Sequence, residues 1–527
     1  MRGADLLVKT LAASGVSRIF SLSGNQIMPI YDACLDAGIE IVHTRHEAAA
    51  AYMAEAHAQL TGELGVALVT AGVGAANAVG PLFTAKHSQS PVLLLTGDSP
   101  VAQDGKGAFQ EFDQVPMTAP ATKFSKRVIS VDKLIEDVSH AFNEAFISPM
   151  GPVHLALPFD VVEAEVEAET SPVKFLSTEL QQQNIKGTVD ALSAASRPLI
   201  ICGPALNKAR SGELQSQISA ALDAPVIGME SPRGLNDPSL GSLASVIGEA
   251  DLVLLLGKSV DFTLGFGTVE SWNKACRWIC VNGSAEELKQ AERNLGDRMD
   301  HEILTDPHRF ALELAQSSAA CEQRSTWRET VLQAVNKRTY VIDETSLNSG
   351  SLCIAVERKI QDFPGAIVIH DGGEFGQWAQ SVITSGKRII NGISGAIGGG
   401  LCYGLAASKA CGNTPVFVLM GDGTSGFHIA EFETAVRENA SFVAIIGNDL
   451  RWNAEHQIQM REYGSDRLIG CELSGARYDL MVEAMGGHGE YVTDLSQLDS
   501  ALERSLASGL PSCINVIIEG LPAPRSC

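Results

Sequence analysis

The sequence predicts an α/β fold made of three doubly wound parallel-sheet domains. Short apolar runs that end in Gly, Asp or Asn recur along the chain, and helical-period stretches such as "AEFETAVREN" lie between them. That alternation is typical of parallel sheets covered by helices on both faces. The chain has 527 residues, too many for one hydrophobic core. The ten apolar runs are "RIFSLSG", "GVALVTAG", "PVLLLTGD", "PLIICGP", "DLVLLLG", "WICVNG", "AIVIHDGG", "VFVLMGDG", "FVAIIGND" and "INVIIEG".

Two polar stretches interrupt this rhythm, at about residues 164–187 and 319–350. Both are poor in strand signals, so we predict interdomain linkers there, the second of them partly helical. The linkers separate an N-terminal domain (1–165), a central domain (185–320) and a C-terminal domain (345–527). The central domain is predicted to be an α/β unit of the six-strand class.

Charge and cysteine content argue against several classes of protein. Lys and Arg number 39 against 62 Asp and Glu, a net charge of −23 that disfavours nucleic-acid and anionic-membrane partners. The closest cysteines, Cys276 and Cys280, have no second Cys or His pair that would complete a zinc site. The first residues lack a signal-peptide core and no apolar run is long enough for a bilayer, so we expect a cytoplasmic protein.

Asp422 directly follows the apolar run "VFVLM" and lies between two glycines. Ligands of open parallel sheets bind at the carboxyl ends of strands, and flanking glycines allow the backbone to approach them closely. A helix beginning near Ile429 would direct free amide groups at a negative charge. Taken alone, Gly-Asp-Gly is also an ordinary strand-to-helix turn.

The next strand, "FVAIIG", ends at Asn448 and Asp449. Adjacent crossover strands would bring Asp449 close to Asp422, and two neighbouring carboxylates repel unless a cation lies between them. Oxygen ligands, completed by a bound diphosphate, suit Mg²⁺ or Ca²⁺ better than zinc. The pair therefore predicts a metal-bridged diphosphate site.

These motifs resemble the thiamine diphosphate (ThDP) enzymes of the acetolactate synthase, pyruvate oxidase and benzaldehyde lyase group. The signature of that family is Gly-Asp-Gly followed, after a helix and a strand, by Asn-Asn. The chain matches it at Asp422 and Asn448 but has Asp449 in place of the second Asn. The resemblance implies ThDP and Mg²⁺ as cofactors, and it implies Asp422, Asp449 and the main-chain carbonyl of Arg451 as metal ligands.

Further cofactor contacts in the C-terminal domain follow from the same resemblance. The turn in "AIVIHDGGEFGQW" would hold the diphosphate, and in "NGISGAIGGGLCYG" the side chain of Ile397 would bend the cofactor while the carbonyl of Gly395 accepts from its amino group. Without the family, the second segment is a weak dinucleotide fingerprint. The implied cofactor residues are Gly373, Glu374, Phe375, Gly395, Ile397, Asp422, Gly423, Thr424 and Asp449.

Glu47 follows an apolar strand and begins an Ala-rich helix, "EAAAAYMAEAHAQL". An acidic residue at a helix N-terminus is common. The resemblance, however, implies that Glu47 is the catalytic carboxyl group that hydrogen-bonds the aminopyrimidine and so promotes deprotonation of the thiazolium carbon. The segment "TAGVGAAN" implies further contacts to the pyrimidine from Gly72, Val73 and Asn77.

The N-terminal domain also contains the implied substrate residues. The segment "GAFQEFDQVPM" resembles the family loop in which Phe109 and Gln110 face the substrate, and Gln26 stands where benzaldehyde lyase has a catalytic histidine. We therefore predict catalytic or substrate-binding roles for Gln26 and Gln110. A glutamine can donate a hydrogen bond to a carbonyl or carboxylate, but it cannot relay protons near neutrality, which argues against benzaldehyde lyase activity itself.

The resemblance implies an acetolactate synthase-like carboligase acting on small 2-keto acids. The alternatives are a 2-keto acid decarboxylase or a lyase of 2-hydroxy ketones or 2-hydroxyacyl compounds, and, in another class, a non-catalytic paralogue that serves as an assembly partner. FAD is not expected, because "PSLGSLASVIGEADLVLLLG" is shorter than the family's flavin loop, which is rich in Gly, Met and His, and contains no Met or His; an adenine nucleotide stays open. In the family Glu47 and Asp422 act across a subunit boundary, which implies a homodimer or homotetramer.

Overall fold

Three parallel sheets, each packed between helices, form the computed structural model, which describes residues 1–174, 182–317, 324–338 and 340–524. This architecture confirms the predicted fold class, and each of the ten apolar runs contains a strand. Parts of the predicted linkers, residues 175–181, 319–323 and 339, lie outside the described residues, so the exact domain boundaries stay predictions. Among the described residues, none of the helices is long and apolar enough to cross a membrane.

The N-terminal sheet has six strands in the order β2-β1-β3-β4-β6-β5. The order reverses between β1 and β3, which is where ligands bind in open α/β sheets. Its strands are β1 (Arg18–Ser21), β2 (Glu40–His43), β3 (Gly65–Val69), β4 (Val92–Asp98), β5 (Phe124–Arg127) and β6 (Val153–Pro158). Its helices are α1 (Gly3–Ala13), α2 (Met28–Ala37), α3 (Glu47–Thr61), α4 (Val73–His87), α5 (Gln114–Thr118), α6 (Leu134–Phe146) and α7 (Phe159–Glu163).

The central sheet has five strands among the described residues, in the order β11-β10-β9-β7-β8, so the six-strand prediction was wrong. A cavity of about 360 Å³ lies beside the carboxyl ends of β7 and β9. The strands are β7 (Pro198–Cys202), β8 (Val226–Gly228), β9 (Leu252–Leu256), β10 (Arg277–Asn282) and β11 (Met299–Leu304). The helices are α8 (Gln182–Ala194), α9 (Lys208–Ser211), α10 (Leu214–Leu222), α11 (Ala285–Leu295), α12 (Pro307–Ala315) and α13 (Ser325–Asn336), the last within the second predicted linker.

The C-terminal sheet repeats the topology of the first, with strand order β13-β12-β14-β15-β17-β16. Its reversal point lies between β12 and β14. The strands are β12 (Ile367–His370), β13 (Lys387–Ile390), β14 (Val416–Gly421), β15 (Val443–Asn448), β16 (His488–Val492) and β17 (Ser512–Ile517). The helices are α14 (Ser349–Ile360), α15 (Gly373–Val382), α16 (Gly400–Cys411), α17 (Asp422–His428), α18 (Glu431–Arg437), α19 (Asn453–Tyr463), α20 (Tyr478–Ala484) and α21 (Leu498–Ala507).

Helix α3 joins the first and third sheets into one core. The His46 ring accepts a hydrogen bond from the backbone N–H of Ala48 at its start, and Gly62 ends the helix with a φ of +75°. Its alanines are buried in one apolar cluster with residues of α16 such as Leu401 and Tyr403. Small side chains let the two helices pack closely, and this packing orients Glu47 at the first position of α3.

Candidate active site

The loops that follow β12, β14 and β15 line a cavity of about 300 Å³ at the reversal point of the C-terminal sheet. Strands β12 and β15 both pair with β14, so the residues after the three strands converge on one point. Every residue that the sequence nominated in this domain lines the cavity: Gly373, Glu374, Phe375, Gly395, Ile397, Asp422, Gly423, Thr424, Asp449 and Arg451.

Asp422 is the most deeply buried carboxylate that lines the cavity. It is the first residue of α17, a short helix that the sequence did not predict, while α18 begins at Glu431, close to the helix start predicted near Ile429. Only 2% of Asp422 is exposed, and its Oδ2 atom has no hydrogen-bond partner among the described residues. Burial and the neighbouring carboxylate of Asp449 raise the pKa of Asp422 to about 7.

Asp449 follows β15 and belongs to the same electrostatic cluster. Burial raises its pKa to about 6, while the guanidinium of Arg451 and the side chain of Asn453 act in the opposite direction. Two partly dehydrated carboxylates that repel each other, one with an unpartnered oxygen, are the environment that a hard cation stabilises. No group of three or more His, Cys, Asp or Glu side chains in the described ranges is placed to hold a metal ion by itself, so carbonyl and cofactor oxygens would complete the coordination.

Glycines open the opposite wall of the cavity. Gly373 and Gly395 have φ values of +71° and +69°, a conformation that other residues rarely adopt. A Cβ atom on Gly372 would lie 2.2 Å from Cγ2 of Ile397, so the Ile397 side chain packs directly on the glycine backbone. The cavity thus combines an apolar wedge, a glycine turn and a carboxylate pair, which fits a bent diphosphate cofactor with a metal ion.

Sequence reasoning missed part of this lining. Trp452 and Glu455 line the cavity after Arg451, and the central domain contributes Arg233. Trp452 packs on the main chain of α17, since a Cβ on Gly423 would lie 2.6 Å from its ring. The proximity of Trp452 and Glu455 to Asp449 in sequence could have indicated them, whereas no sequence signal pointed to Arg233.

Glu47 lies in a second cluster, at the strand ends of the N-terminal sheet. Only 8% of Glu47 is exposed, and its Oε2 accepts a hydrogen bond from Nδ2 of Asn77 at 3.0 Å. Gly74 at the start of α4 lies beside the other oxygen, because a Cβ there would be 3.6 Å from Oε1. The structure therefore brings together Glu47 and Asn77, two of the predicted pyrimidine contacts.

The two predicted glutamines form a hydrogen-bonded chain that ends at Thr70. The Thr70 hydroxyl donates to Oε1 of Gln26 at 2.6 Å, and Nε2 of Gln26 donates to Oε1 of Gln110 at 2.9 Å. This order makes the Gln110 amide oxygen an acceptor and leaves its NH₂ group as a donor. Thr70 was not predicted, although it directly follows β3, where the strand-end rule could have found it.

The loop that carries Gln110 is folded around a carboxylate. Glu111 accepts hydrogen bonds from the backbone N–H groups of Gly105, Gly107 and Ala108. Gln110 has a φ of +57°, and Phe109 is 74% exposed. A Cβ on Gly72 would lie 3.3 Å from Cβ of Gln110, so the predicted pyrimidine loop touches the predicted substrate loop.

Val73, the remaining residue of the predicted pyrimidine loop, is 65% exposed. Within one described chain, none of the nominated N-terminal residues lines the C-terminal cavity. The structure thus assembles two clusters: Gln26, Glu47, Gly72, Val73, Asn77, Phe109 and Gln110 in the first, and the cavity residues in the second.

The protein has three parallel-sheet domains, and a cavity with glycines and carboxylates lies at the reversal point of the C-terminal sheet. This combination is typical of α/β enzymes that bind a diphosphate cofactor. Comparison with known families specifies the class further. Residues 1–117 match the model "Thiamine pyrophosphate enzyme, N-terminal TPP binding domain", and residues 371–516 match "Thiamine pyrophosphate enzyme, C-terminal TPP binding domain". The chain belongs to the thiamine pyrophosphate enzyme family, and its cofactor is ThDP.

Similar proteins span nearly the whole chain. The acetolactate synthase large subunit IlvG of Mycobacterium tuberculosis is 31% identical over 536 residues, covering 98% of this chain and 96% of that protein. The 2-hydroxyacyl-CoA lyase 2 of Homo sapiens is 28% identical over 98% of this chain and 90% of its own length. The 2-hydroxyacyl-CoA lyase of Arabidopsis thaliana is 26% identical over 99% and 96%. The chain is therefore a ThDP-dependent carboligase or lyase that acts on carbon–carbon bonds.

Proposed function

We propose that this protein is a ThDP- and Mg²⁺-dependent carboligase that condenses small 2-keto acids, as an acetolactate synthase does. The observation that carries the metal assignment is the buried, unpartnered Oδ2 of Asp422 beside the Asp449 carboxylate. Asp422, Asp449 and the carbonyl of Arg451 would hold the ion. Gly373, Glu374 and Phe375 would hold the diphosphate of the cofactor.

The protein groups have separate tasks in this proposal. Bound ThDP supplies a nucleophilic carbon and an electron sink. Ile397 shapes the cavity wall and Glu47 holds a proton at the aminopyrimidine. The buried position of Glu47 keeps water away from the aminopyrimidine.

We further propose that a complete active site needs two copies of the chain. The Glu47 cluster and the Asp422 cavity do not share lining residues within one chain. Exposed apolar side chains adjoin the first cluster at Val73 and Phe109, and such residues are suited to burial against another subunit. A symmetric dimer, or a dimer of dimers, would supply Glu47 from one subunit and Asp422 from the other.

The hydrogen-bonded glutamines favour a 2-keto acid as donor substrate. Gln110 presents an amide NH₂, which pairs with a carbonyl or carboxylate oxygen and does not carry protons. A 2-hydroxyacyl lyase is the second candidate, because relatives with that name match the chain over nearly its full length. A non-catalytic assembly partner is favoured only by Asp449 in place of asparagine, and the retained Glu47 opposes it.

Calorimetry with ThDP and Mg²⁺ tests the cofactor assignment, and we expect saturable binding that needs both components. Absence of binding at millimolar cofactor would leave only the non-catalytic alternative. Incubating the reconstituted protein with a panel of 2-keto acids, aldehydes and 2-hydroxyacyl thioesters tests the reaction. Carboligation products detected by mass spectrometry support the proposal, whereas cleavage of the thioesters alone would favour the lyase.

A further inference from the structure

Asp371 is a fully buried carboxylate at the edge of the cofactor cavity, and the assigned functions do not use it. It follows β12, and its backbone N–H continues the sheet by donating to the carbonyl of Leu419 at 2.9 Å. The next residue, Gly372, is the glycine on which Ile397 packs. Asp371 therefore lies at a fixed position between the diphosphate turn and the wedge residue.

The Asp371 carboxylate binds both ends of the segment that carries Ile397. The backbone N–H of Gly398 donates to Oδ1 and Oδ2 at 3.0 Å, and that of Gly400 donates to Oδ2 at 2.8 Å. Nδ2 of Asn391 donates to Oδ1 at 2.6 Å and also to the carbonyl of Ala396 at 2.9 Å. The peptide groups on both sides of Ile397 are thus tied to one carboxylate, directly or through Asn391.

Only a carboxylate satisfies this arrangement. Each carboxylate oxygen of Asp371 accepts from two N–H groups. An asparagine at this position has one oxygen and one NH₂ group, so in either orientation its NH₂ would face other donors. Burial excludes water that could relieve the conflict. A Cβ on Gly400 would lie 2.8 Å from Cβ of Asp371, so the segment also packs tightly against the acid.

We propose that Asp371 is a positioning residue that fixes the Ile397 segment and thereby the shape of the ThDP cavity. This inference rests on the proposed function, because Ile397 matters only if it contacts the cofactor. Loss of the Asp371 charge should therefore weaken binding of the whole bent cofactor. Binding of the diphosphate portion alone should not change, because its metal ligands lie after β14 and β15.

The test compares Asp371→Asn with Glu357→Gln in the full-length protein. Glu357 is a buried carboxylate of the same domain that accepts hydrogen bonds from the hydroxyls of Thr384 and Ser385, away from the cavity. Hydrogen exchange of the metal-free proteins, followed by mass spectrometry over residues 391–402, reports on the segment. Calorimetry then gives the affinities for Mg²⁺-ThDP and for Mg²⁺-pyrophosphate.

For Asp371→Asn we expect faster exchange at residues 398–400 and ThDP affinity reduced at least about tenfold, the loss of one charge-assisted hydrogen bond. Pyrophosphate affinity should change less than about threefold, which corresponds to less than half of the free energy of a tenfold change in affinity. Glu357→Gln should leave all three readouts unchanged. Unchanged exchange and ThDP affinity in Asp371→Asn, or equal losses for both ligands, would overturn the inference.

If Asp371→Asn does not fold, Asn391→Ala keeps the carboxylate and removes one of its donors. We then expect faster exchange at residues 396–400 together with a selective loss of ThDP affinity, and the absence of either would refute the role. Failure of the wild-type protein to bind ThDP would contradict the proposed function instead. The exchange readout would still decide whether Asp371 holds the segment.

Discussion

Replacing Asp422 with asparagine should stabilise the metal-free protein at alkaline pH. The folded-state pKa of Asp422 is about 7, against an ordinary value of 3.8. Because the folded state binds this proton more tightly than the unfolded state, stability is complete below the ordinary pKa and is lost as the pH rises toward 7. A shift of about three pH units at 1.36 kcal/mol each sets an upper limit of about 4 kcal/mol for this loss.

Thermal unfolding in EDTA at pH 4.5 and pH 8 measures the effect. Asp422→Asn should change the midpoint little at the lower pH and raise it by several degrees at the higher pH, because no buried charge forms. Mg²⁺ with ThDP should stabilise the wild type at pH 8 but not the variant. The exposed Asp362, which forms an ion pair with Lys359, provides the control Asp362→Asn. A variant that is no more stable at pH 8, or that still gains stability from Mg²⁺, would refute the reasoning.

Three further predictions concern the remaining groups. Glu47→Gln should keep the fold, and its ThDP affinity should stay within about threefold of the wild-type value, a change smaller than the free energy of one hydrogen bond. Proton exchange at the thiazolium carbon, measured by NMR, should be abolished. Unchanged exchange would contradict the role of Glu47. Thr70→Val removes the hydroxyl that orients Gln26, so KM for 2-keto acids should rise about tenfold, the free energy of one hydrogen bond, with kcat less affected. Thr70→Ser should restore KM, and a Thr70→Val enzyme with wild-type KM would exclude a role of Thr70 in orienting Gln26. Asp449→Asn should weaken Mg²⁺ binding at pH 8 about tenfold. It should also lower the pKa of Asp422, because one repelling carboxylate is removed. If calorimetry at pH 6 and pH 8 shows no change in Mg²⁺ affinity, Asp449 is not a ligand.

The sequence predicted the interior of the sheets better than their edges. All ten apolar runs became interior strands, whereas the six edge strands β2, β5, β8, β11, β13 and β16 have no such run, although the apolar strand β2 was recognised before Glu47. Edge strands are partly exposed, so polar residues such as those of "FSKR" and "MDHEIL" replace the continuous apolar pattern. The interior strand β6 was also missed, because its pattern contains His154, a buried histidine whose ring hydrogen-bonds Thr96 and Thr118.

The candidate site shows a similar division. Residues that follow interior strands, such as Asp422 and Asp449, could be nominated from the strand pattern alone. The start of α17 at Asp422 could not, because three glycines in "GDGTSG" favour a loop by propensity and tertiary packing overrides them. Asp371 also follows an interior strand, but its role, like that of Arg233, depends on contacts between distant segments, which local patterns do not report.

Co-assembly of two inactive variants tests most directly whether the Glu47 cluster of one chain and the Asp422 cavity of another form one active site. Glu47→Gln and Asp422→Asn chains are co-expressed, and thiazolium proton exchange is measured in the mixture with ThDP and Mg²⁺. Random dimers of this kind contain, by combination alone, roughly one intact site in four if the residues act across the subunit boundary. We expect recovery of about a quarter of wild-type exchange. No recovery in verified mixed dimers would contradict it, because every site would then draw both groups from one defective chain.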